Sequence, residues 1–331
     1  MSLRDLAKWI SASAPSKATV AILERVLRPR SDSLHVLTYH RVAPRDERPD
    51  LHPALLSATP AAFREQIDYL ASTGRVVSLE DVLAAFRGER RLVAGAILIT
   101  FDDAYADFAE HAWPVLAKYR LPVTLFVPTA YPDQPERHFW WDRLHAAFHA
   151  AEPRDAVETV AGTFRLHDSS ERAAARRAVG GKLQTLDHAV ALATVDKLCE
   201  ELEAPPPIPA VLGWSELLDL HRAGVTLAAH TRTHPLLAKI PLEHAISETE
   251  GSFDDLVERV GHAPAALAYP GGSHTDALVR ALRDSRFEIA FTTRRGSNKI
   301  PSSSPLRLDR INVGHRSTLP LVRAQLLPVA P

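Results

Sequence analysis

Hydrophobic and polar positions follow two different periods along this chain, and each period predicts one kind of element. Two runs contain almost no polar alternation, AGAILITFDD at residues 94–103 and LPVTLFVPT at residues 121–129. Such runs predict strands that are covered on both faces. A third run, LHVLTYHRV at residues 34–42, is rich in β-forming residues and predicts a strand that ends near His40.

Helical patterns separate the predicted strands. Residues 59–74 contain Thr59 as a candidate N-cap, Pro60 at the first helical position and Gly74 as a stop signal. Strands that alternate with helices in this way are typical of an α/β fold with parallel strands.

The alternation pauses between residues 131 and 210. This segment is rich in Ala, Arg and Glu, has helical periodicity and closes with the proline-rich stretch EAPPPIPAV. The alternation then resumes, with strands predicted at VTLAAH, AALAYPGG and FEIAFTT. We therefore expect one domain over residues 34–331 with a helical insertion at residues 131–210, preceded by an N-terminal helical arm at residues 1–33.

Composition and charge restrict the function classes. The 331 residues are 46% hydrophobic, enough for a large core, and the net charge of −1 gives no electrostatic basis for nucleic-acid binding. The single cysteine, Cys199, excludes an internal disulfide framework. No run approaches the roughly 18 to 20 apolar residues that span a bilayer. The start of the chain lacks the apolar core of a secretory signal, so we expect a cytoplasmic protein.

The start of the chain combines apolar residues at helical spacing with Arg and Lys, and it has two interpretations. It forms a helix docked on the domain, or it makes peripheral membrane contact through residues 1–30. The second interpretation would place the protein at the inner membrane face.

Unusual polar residues stand where predicted strands end, which is where catalytic groups gather in parallel α/β folds. Asp102 and Asp103 follow the strand ILITF, and burying two adjacent carboxylates is costly unless a cation or hydrogen bonds compensate. The spacing of His230 and His234 suits two imidazoles on one metal, although two solvated or capping histidines would show it as well. One aspartate would complete a His₂Asp metal site, and the other would be a base for bound water.

Three blocks together resemble the signature of the NodB-type polysaccharide deacetylases, carbohydrate esterase family 4. They are TFDDAYADF at residues 100–108, HTRTH at residues 230–234 and AYPGG at residues 268–272. The strand VLTYH, which precedes TFDD, resembles the circularly permuted members, including biofilm poly-N-acetylglucosamine deacetylases. The resemblance implies an α/β fold, a distorted (β/α)7-type barrel. It also implies a metal-dependent hydrolase that removes N-acetyl groups from amino sugars of a polysaccharide or lipid-linked glycan.

The same resemblance implies roles for individual residues. Asp102 would be the general base, and Asp103, His230 and His234 would bind a divalent metal, which in this family is most often Zn²⁺. The backbone N–H of Gly271, after the proline of AYPGG, would stabilise the oxyanion.

The sequence offers two candidates for the general acid and differs from the family pattern at three positions. His40 would protonate the leaving amine, unless it is a core or turn histidine, and His315 in NVGH is the substitute candidate. Ala104 stands where a glycine is usual, and Ala268 stands where an arginine normally begins the block and steadies the base. Arg310 in RLDRINV is the candidate to replace that arginine, or it forms a surface ion pair. Position 271 commonly holds an aromatic residue.

Aromatic residues supply candidate contacts with the glycan. Trp140 and Trp141 in FWWD would form a platform for sugar rings, or they belong to an ordinary helix core. Tyr269 in AYPGG is a further substrate-binding candidate. Asp107, about one helical turn beyond the aspartate pair, is expected to cap a helix or to be solvated rather than to bind metal.

Two other functions fit part of the pattern. A metal phosphoesterase would use the paired aspartates but would need a second metal cluster, for which the other strand ends offer no ligands. A catalytically silent glycan-binding module would explain the departures, but it has no need for both aspartates and both histidines. The sequence leaves open which glycan is bound and whether the acyl group is acetyl or formyl.

Overall fold

Seven parallel strands of the structure build one closed barrel. A computed structural model describes residues 17–205, 208–302 and 304–328. The strands within them are β1 (Ser33–Tyr39), β2 (Arg41–Val42), β3 (Leu56–Ala58), β4 (Ala96–Asp102), β5 (Thr124–Val127), β6 (Val157–Thr159), β7 (Gly162–Phe164), β8 (Thr226–Ala229), β9 (Ala266–Ala268), β10 (Ile289–Arg295), β11 (Asn298–Lys299) and β12 (Leu308–Asn312). Seven of them run parallel in the order β1, β12, β10, β9, β8, β5 and β4, and β4 pairs again with β1. The predicted (β/α)7-type barrel is confirmed.

The first strand closes the barrel. β1 pairs with β4 over six successive positions, from Leu34 opposite Ala96 to Tyr39 opposite Phe101. Its other edge pairs with β12 in parallel and with β11 in antiparallel orientation. β1 therefore lies between the early strand β4 and the late strand β12, and all three end at the same rim of the barrel.

Eleven α-helices lie among the described residues. They are α1 (Lys17–Val26), α2 (Pro60–Thr73), α3 (Leu79–Phe86), α4 (Trp113–Lys118), α5 (Trp140–Ala150), α6 (Ser169–Leu183), α7 (His188–Glu201), α8 (Trp214–Arg222), α9 (Leu242–Val260), α10 (Asp276–Leu282) and α11 (Leu319–Gln325). The predicted boundaries of α2 are confirmed, because the Thr59 hydroxyl accepts the Ala62 N–H and Gly74 ends the helix with a φ of 62°.

The core has an outer and an inner layer, as expected for a barrel whose strands are covered on both faces. Every residue of β4 and β5 is buried, which confirms the prediction for these two strands. Alternate side chains such as Leu37 and Phe101 pack outward against α2. The others, such as Val36 and Leu98, pack with Phe126 and with helix α3. Because apolar side chains fill both layers, the polar residues that could carry out chemistry lie at the ends of the strands, at the rim of the barrel.

The segment between residues 131 and 210 has a small core of its own. Helices α5, α6 and α7 pack around Leu144, Phe148 and Val179. The helical character is as predicted, but the antiparallel hairpin of β6 and β7 was not expected. Strands of three residues are too short to show a period-2 pattern.

The described part of the N-terminal arm is docked on the domain. Residues 1–16 lie outside the described residues. Helix α1 packs through Val20 and Leu23 against Ala324 and Leu327, and it leaves Ile22 and Val26 exposed. Among the described residues, no helix is long and apolar enough to cross a membrane.

Candidate metal centre and active site

Three buried side chains converge at the carboxyl ends of β4 and β8. Asp103 follows β4 directly, His230 follows β8 directly, and His234 lies in the loop beyond. The Asp103 Oδ1 atom is 3.3 Å from His230 Nε2 and 3.2 Å from His234 Nε2. The three ligand atoms all lie within 4.8 Å of one another. The structure thus brings together the three residues predicted to bind metal.

The hydrogen bonding of these side chains fits a divalent cation. His230 Nδ1 lies 2.7 Å from the Ala268 carbonyl oxygen, so this nitrogen carries the proton and the Nε2 lone pair faces Asp103. Asp103 Oδ1 is buried and accepts no hydrogen bond from any described residue. A buried carboxylate oxygen without a donor, beside two imidazole nitrogens, forms the donor set of a catalytic metal site with room for water.

The second aspartate has a separate partner. Arg310 in β12 donates from Nη1 to Asp102 Oδ1 at 2.9 Å and from Nη2 to Asp102 Oδ2 at 2.8 Å. Its Nε–H donates to the Thr292 carbonyl at 2.8 Å. Burial raises the pKa of Asp102, but the guanidinium charge outweighs it and keeps that pKa below its ordinary value. Arg310 is therefore a buried partner of Asp102 and not part of a surface ion pair, and it keeps Asp102 ionised.

The backbone of the site adopts the left-handed conformation at four residues that are not glycine. The φ angles are 73° at Asp103, 53° at Ala104, 63° at Thr231 and 58° at His234. Such angles cost about 1–2 kcal/mol per residue and cluster at functional sites. They also explain why a glycine is usual at position 104, since glycine adopts this conformation without strain.

A carboxylate on α9 holds the loop between the two histidines. Glu248 accepts the backbone N–H groups of Arg232 at 2.9 Å and of Thr233 at 2.8 Å. The Thr233 hydroxyl donates to the same carboxylate at 2.6 Å. Arg232 is fixed in turn by a two-point ion pair with Asp255. Glu248 is not among the residues predicted from the sequence, because a glutamate on an amphipathic helix carries no local sign of a loop partner.

A cavity of about 530 Å³ opens onto the site. Eight of the predicted site residues line it: His40, Asp102, Asp103, Trp140, Trp141, His230, His234 and Gly271. His40 follows β1, is partly buried, and its backbone N–H donates to Ser57 Oγ at 2.9 Å. His315 is exposed and does not line the cavity. Of the two general-acid candidates, the structure therefore brings only His40 to the site.

Gly271 lies in a tight turn at the cavity wall. Its φ is 57°, and a Cβ atom there would meet Leu236 Cδ2 at 2.9 Å. Its carbonyl accepts the Thr293 hydroxyl at 3.2 Å. Leu236 thus takes up space beside this position, where an aromatic residue is common in the family pattern.

The structure places Tyr269, a predicted substrate contact, in the core and not at the cavity. The residue is fully buried, and its hydroxyl donates to the Leu306 carbonyl at 3.1 Å. Its ring stacks on His274 with a centroid distance of 4.9 Å. Successive side chains along a barrel strand point alternately to its two faces. At this position the ring points into the core.

The two tryptophans, Trp140 and Trp141, lie in the stretch FWWD at the cavity. Trp141 donates from Nε1 to the Tyr105 hydroxyl at 3.0 Å, and its ring lies edge-on to His234 at 4.9 Å. Phe139, not a tryptophan, is the fully packed aromatic of this stretch, and it stacks on Trp141 at 4.5 Å. Trp140 and Trp141 are partly exposed at the cavity, as a sugar platform would require.

Two further carboxylates are buried near the site. Asp142 accepts the Tyr105 hydroxyl at 2.6 Å and the His52 N–H at 2.7 Å, and burial raises its pKa to about 7. Asp107 is neither capping nor solvated, contrary to expectation. It forms a buried ion pair with Arg41 at 2.8 Å. Both carboxylates tie the loop that follows the aspartate pair to neighbouring segments.

The fold and the site together identify the chain as a parallel seven-stranded α/β barrel with a candidate His₂Asp metal site at its carboxyl rim. Residues 90–290 match the family described as polysaccharide deacetylase, so the chain belongs to the polysaccharide deacetylase family. The predicted family is thereby confirmed. The chain order of a circularly permuted member stays a prediction.

Solved structures support the fold. The Streptococcus pyogenes deacetylase PplD, solved with acetate, superimposes with a TM-score of 0.61 at 18% identity, covering 89% of this chain and 99% of that chain. IcaB from Ammonifex degensii gives a TM-score of 0.58 at 20% identity, covering 90% of this chain and 98% of that chain. At these identities the likeness establishes the architecture.

A curated relative matches over a shorter region. The poly-beta-1,6-N-acetyl-D-glucosamine N-deacetylase of Escherichia coli (strain K12) is 30% identical over 100 residues. These residues are 30% of this chain and 14% of the length of that relative.

We expect Glu248→Gln to weaken metal binding, because an amide cannot accept three hydrogen bonds and the loop between His230 and His234 would loosen. Loss of such an outer partner typically raises a metal Kd about 10- to 100-fold. Competition between the protein and a coloured zinc chelator measures this. Glu243→Gln, an exposed change on the same helix, is the matched control. An unchanged Kd for Glu248→Gln would show that the loop needs no such support.

We expect Asp142→Asn to change the pH dependence of stability. The folded carboxyl keeps its proton up to about pH 7, whereas the ordinary pKa is 3.8. The folded state therefore binds more protons between these values, so the wild type loses stability as the pH rises through this window. Relative to Asp142→Asn, the loss should be about 2–4 kcal/mol.

Denaturant unfolding of both proteins from pH 4 to pH 8 measures this difference. Asp284→Asn removes an exposed carboxylate and should leave the curve parallel to the wild type. Parallel curves for Asp142→Asn as well would contradict the prediction.

Proposed function

We propose that this protein is a metal-dependent hydrolase that removes N-acetyl groups from the amino sugars of a glycan. The observation that carries the proposal is the separation of two adjacent aspartates into two environments. Asp103 faces two imidazoles, and Asp102 is held by Arg310 in the same cavity. One carboxylate is thus available as a ligand and its neighbour as a base. Family membership supports the same reaction class.

A divalent cation held by Asp103, His230 and His234 would supply Lewis acidity for the amide carbonyl and lower the pKa of water. Zn²⁺ is the proposed metal, because two imidazoles and one carboxylate are a common zinc donor set.

Different residues of the chain carry out the individual proton transfers. Asp102 accepts the proton of the attacking water, and the Gly271 N–H donates a hydrogen bond to the oxyanion of the tetrahedral intermediate. The C–N bond breaks as His40 donates a proton to the leaving nitrogen. Acetate and a free amino sugar leave. Arg310 orients Asp102 through its two-point contact and compensates its charge throughout.

An N-acetylglucosamine-containing glycan is the proposed substrate class. Support comes from the named activity of the Escherichia coli relative and from the exposed faces of Trp140 and Trp141 at the cavity. Aromatic rings of this kind stack on the apolar faces of sugars.

The phosphoesterase alternative lacks a second metal cluster in the cavity. Among the described residues, the other group of candidate ligands is Glu47, Glu110 and His111, which is largely exposed and does not line the cavity. Two-metal phosphoesterases hold their ions about 3.5–4 Å apart, so such a group would have to adjoin Asp103.

We expect about one metal ion per chain in the wild type, its loss in His234→Ala, and acetate release from chitooligosaccharides by the wild type alone. Asp102→Asn should retain the metal but lose about 10²- to 10⁴-fold in acetate release, because the base is removed while the ligands remain. Elemental analysis and an acetate assay measure both quantities, and circular dichroism checks that each variant is folded.

The outcomes separate the competing functions. Metal without release of acetate from any acetylated sugar, or of formate from any formylated sugar, would favour the silent glycan-binding module. Absence of metal from the wild type, even after zinc is added, would overturn the hydrolase proposal.

Membrane contact and the cytoplasmic location stay predictions. Support for contact through α1 comes from its exposed Ile22 and Val26 beside basic Arg25 and Arg28. We expect the chain to sediment with vesicles of anionic lipid and Ile22→Asp to reduce this binding. Equal sedimentation of the variant would contradict a role for α1.

A further inference from the structure

Two arginines of helix α6 line the cavity without a carboxylate partner. Arg176 is half-buried and Arg177 is exposed, and both belong to the wall that faces the metal-binding side chains. Neither forms an ion pair with any described residue. The only acidic residues that line the cavity are Asp102 and Asp103, and each is already matched within the site.

Seven arginines lie between residues 131 and 210, and Arg137 and Arg172, which do not line the cavity, also form no ion pair with a described residue. Three other arginines between residues 131 and 210 each face a carboxylate: Arg143 pairs with Asp196, Arg154 with Glu203, and Arg165 with Glu171. These pairs lie away from the cavity. Of the arginines in this segment that have no carboxylate partner among the described residues, Arg176 and Arg177 are the two that line the cavity, and they place two positive charges in its wall.

Arg176 also faces a second hydrogen-bond donor. His52 Nδ1 accepts the Ala54 N–H at 3.2 Å, so the neutral imidazole carries its proton on Nε2. That nitrogen lies in close contact with Arg176 Nη1, and a guanidinium has no lone pair to offer. Burial, with the charge of Arg176 beside it, lowers the pKa of His52 to about 4, which keeps the ring neutral. Both side chains line the cavity, so both can donate to one acceptor bound on the cavity side.

The helix leaves room beside these donors. Gly180 and Gly181 follow on α6 and line the same cavity. A Cβ atom would meet nothing closer than 3.8 Å at Gly180 and no atom within 4 Å at Gly181. Packing does not require either glycine, and each costs about 1 kcal/mol relative to alanine in a helix. Their effect is to widen the cavity next to Arg176 and Arg177.

We propose that Arg176, Arg177 and the Nε2–H of His52 form a subsite for an oxyanion, a phosphate ester or a carboxylate, carried by the glycan beside the acetamido group. The planar guanidinium fork matches both groups. The proposal rests on the proposed function for the nature of the substrate, but the binding of an anion at this wall is testable without turnover.

The turnover test uses the zinc-loaded full chain and three probes. They are methyl N-acetylglucosaminide, which is neutral, N-acetylglucosamine 1-phosphate and N-acetylmuramic acid. We expect the kcat/KM for one anionic probe to exceed that for the neutral probe about 10- to 100-fold, mainly through KM. In Arg176→Gln/Arg177→Gln this ratio should fall towards one, and in the corresponding double lysine variant it should lie between. Lys182→Gln removes a positive charge from the same helix outside the cavity and should keep the wild-type ratio.

The binding test uses the deacetylated forms of the same probes, which cannot be turned over. Calorimetric titration of wild type, Arg176→Gln/Arg177→Gln and Lys182→Gln should show about a tenfold or greater loss of affinity for an anionic sugar only in the arginine variant. The phosphate and carboxylate arms identify which anion is preferred.

The two tests fail separately. Acetate release with equal efficiency from all probes, unaffected by the arginine changes, would overturn the subsite and leave the hydrolase intact. Arginine-dependent binding of an anionic sugar without acetate release from any probe would uphold the subsite and overturn the hydrolase. No release and no arginine-dependent binding would overturn both.

Discussion

Two adjacent carboxylates at the end of a buried strand are the constraint on which the site depends. Neither charge can stay buried without compensation, and one cation cannot occupy both positions. The fold provides a separate partner for each from a different part of the barrel. Arg310 comes from β12, and the two imidazoles come from the segment after β8. Because the partners differ, two chemically identical side chains acquire different roles, one as an anion ready to accept a proton and one as a ligand.

The residues that compensate the charges of the two aspartates are themselves held by neighbouring groups. Arg310, which donates two hydrogen bonds to Asp102, also donates one to the Thr292 carbonyl, and His230 donates one to the Ala268 carbonyl. Glu248 holds the amides between the histidines. Each anchor comes from a neighbouring barrel strand or from a helix packed on it, so the rigidity of the barrel is passed to the reacting groups. The left-handed backbone at Asp103 and Ala104 persists because these surroundings over-determine it.

Much of this arrangement could be predicted from local sequence. The unbroken apolar runs of β4 and β5 indicated strands with two covered faces, and the strand ends carried the aspartates and histidines. The signals that failed are those that depend on pairing over long distances. Nothing near Glu248 indicates the loop that it holds, and Arg310 was only a candidate because its partner lies 208 residues away. The side of the barrel that the Tyr269 ring enters could not be predicted from one residue beyond the end of a strand.

The position of β1 between β4 and β12 has a consequence for how the molecule is assembled. Pairing of β1 with β4 joins segments that are close along the chain, whereas pairing with β12 requires nearly the whole chain. Contacts of such long sequence separation form late and slowly. During synthesis, Asp102 is exposed long before Arg310 emerges from the ribosome. The active site and the closure of the barrel are therefore completed in the same late event, and a nascent chain with an open barrel also has an unpaired catalytic carboxylate.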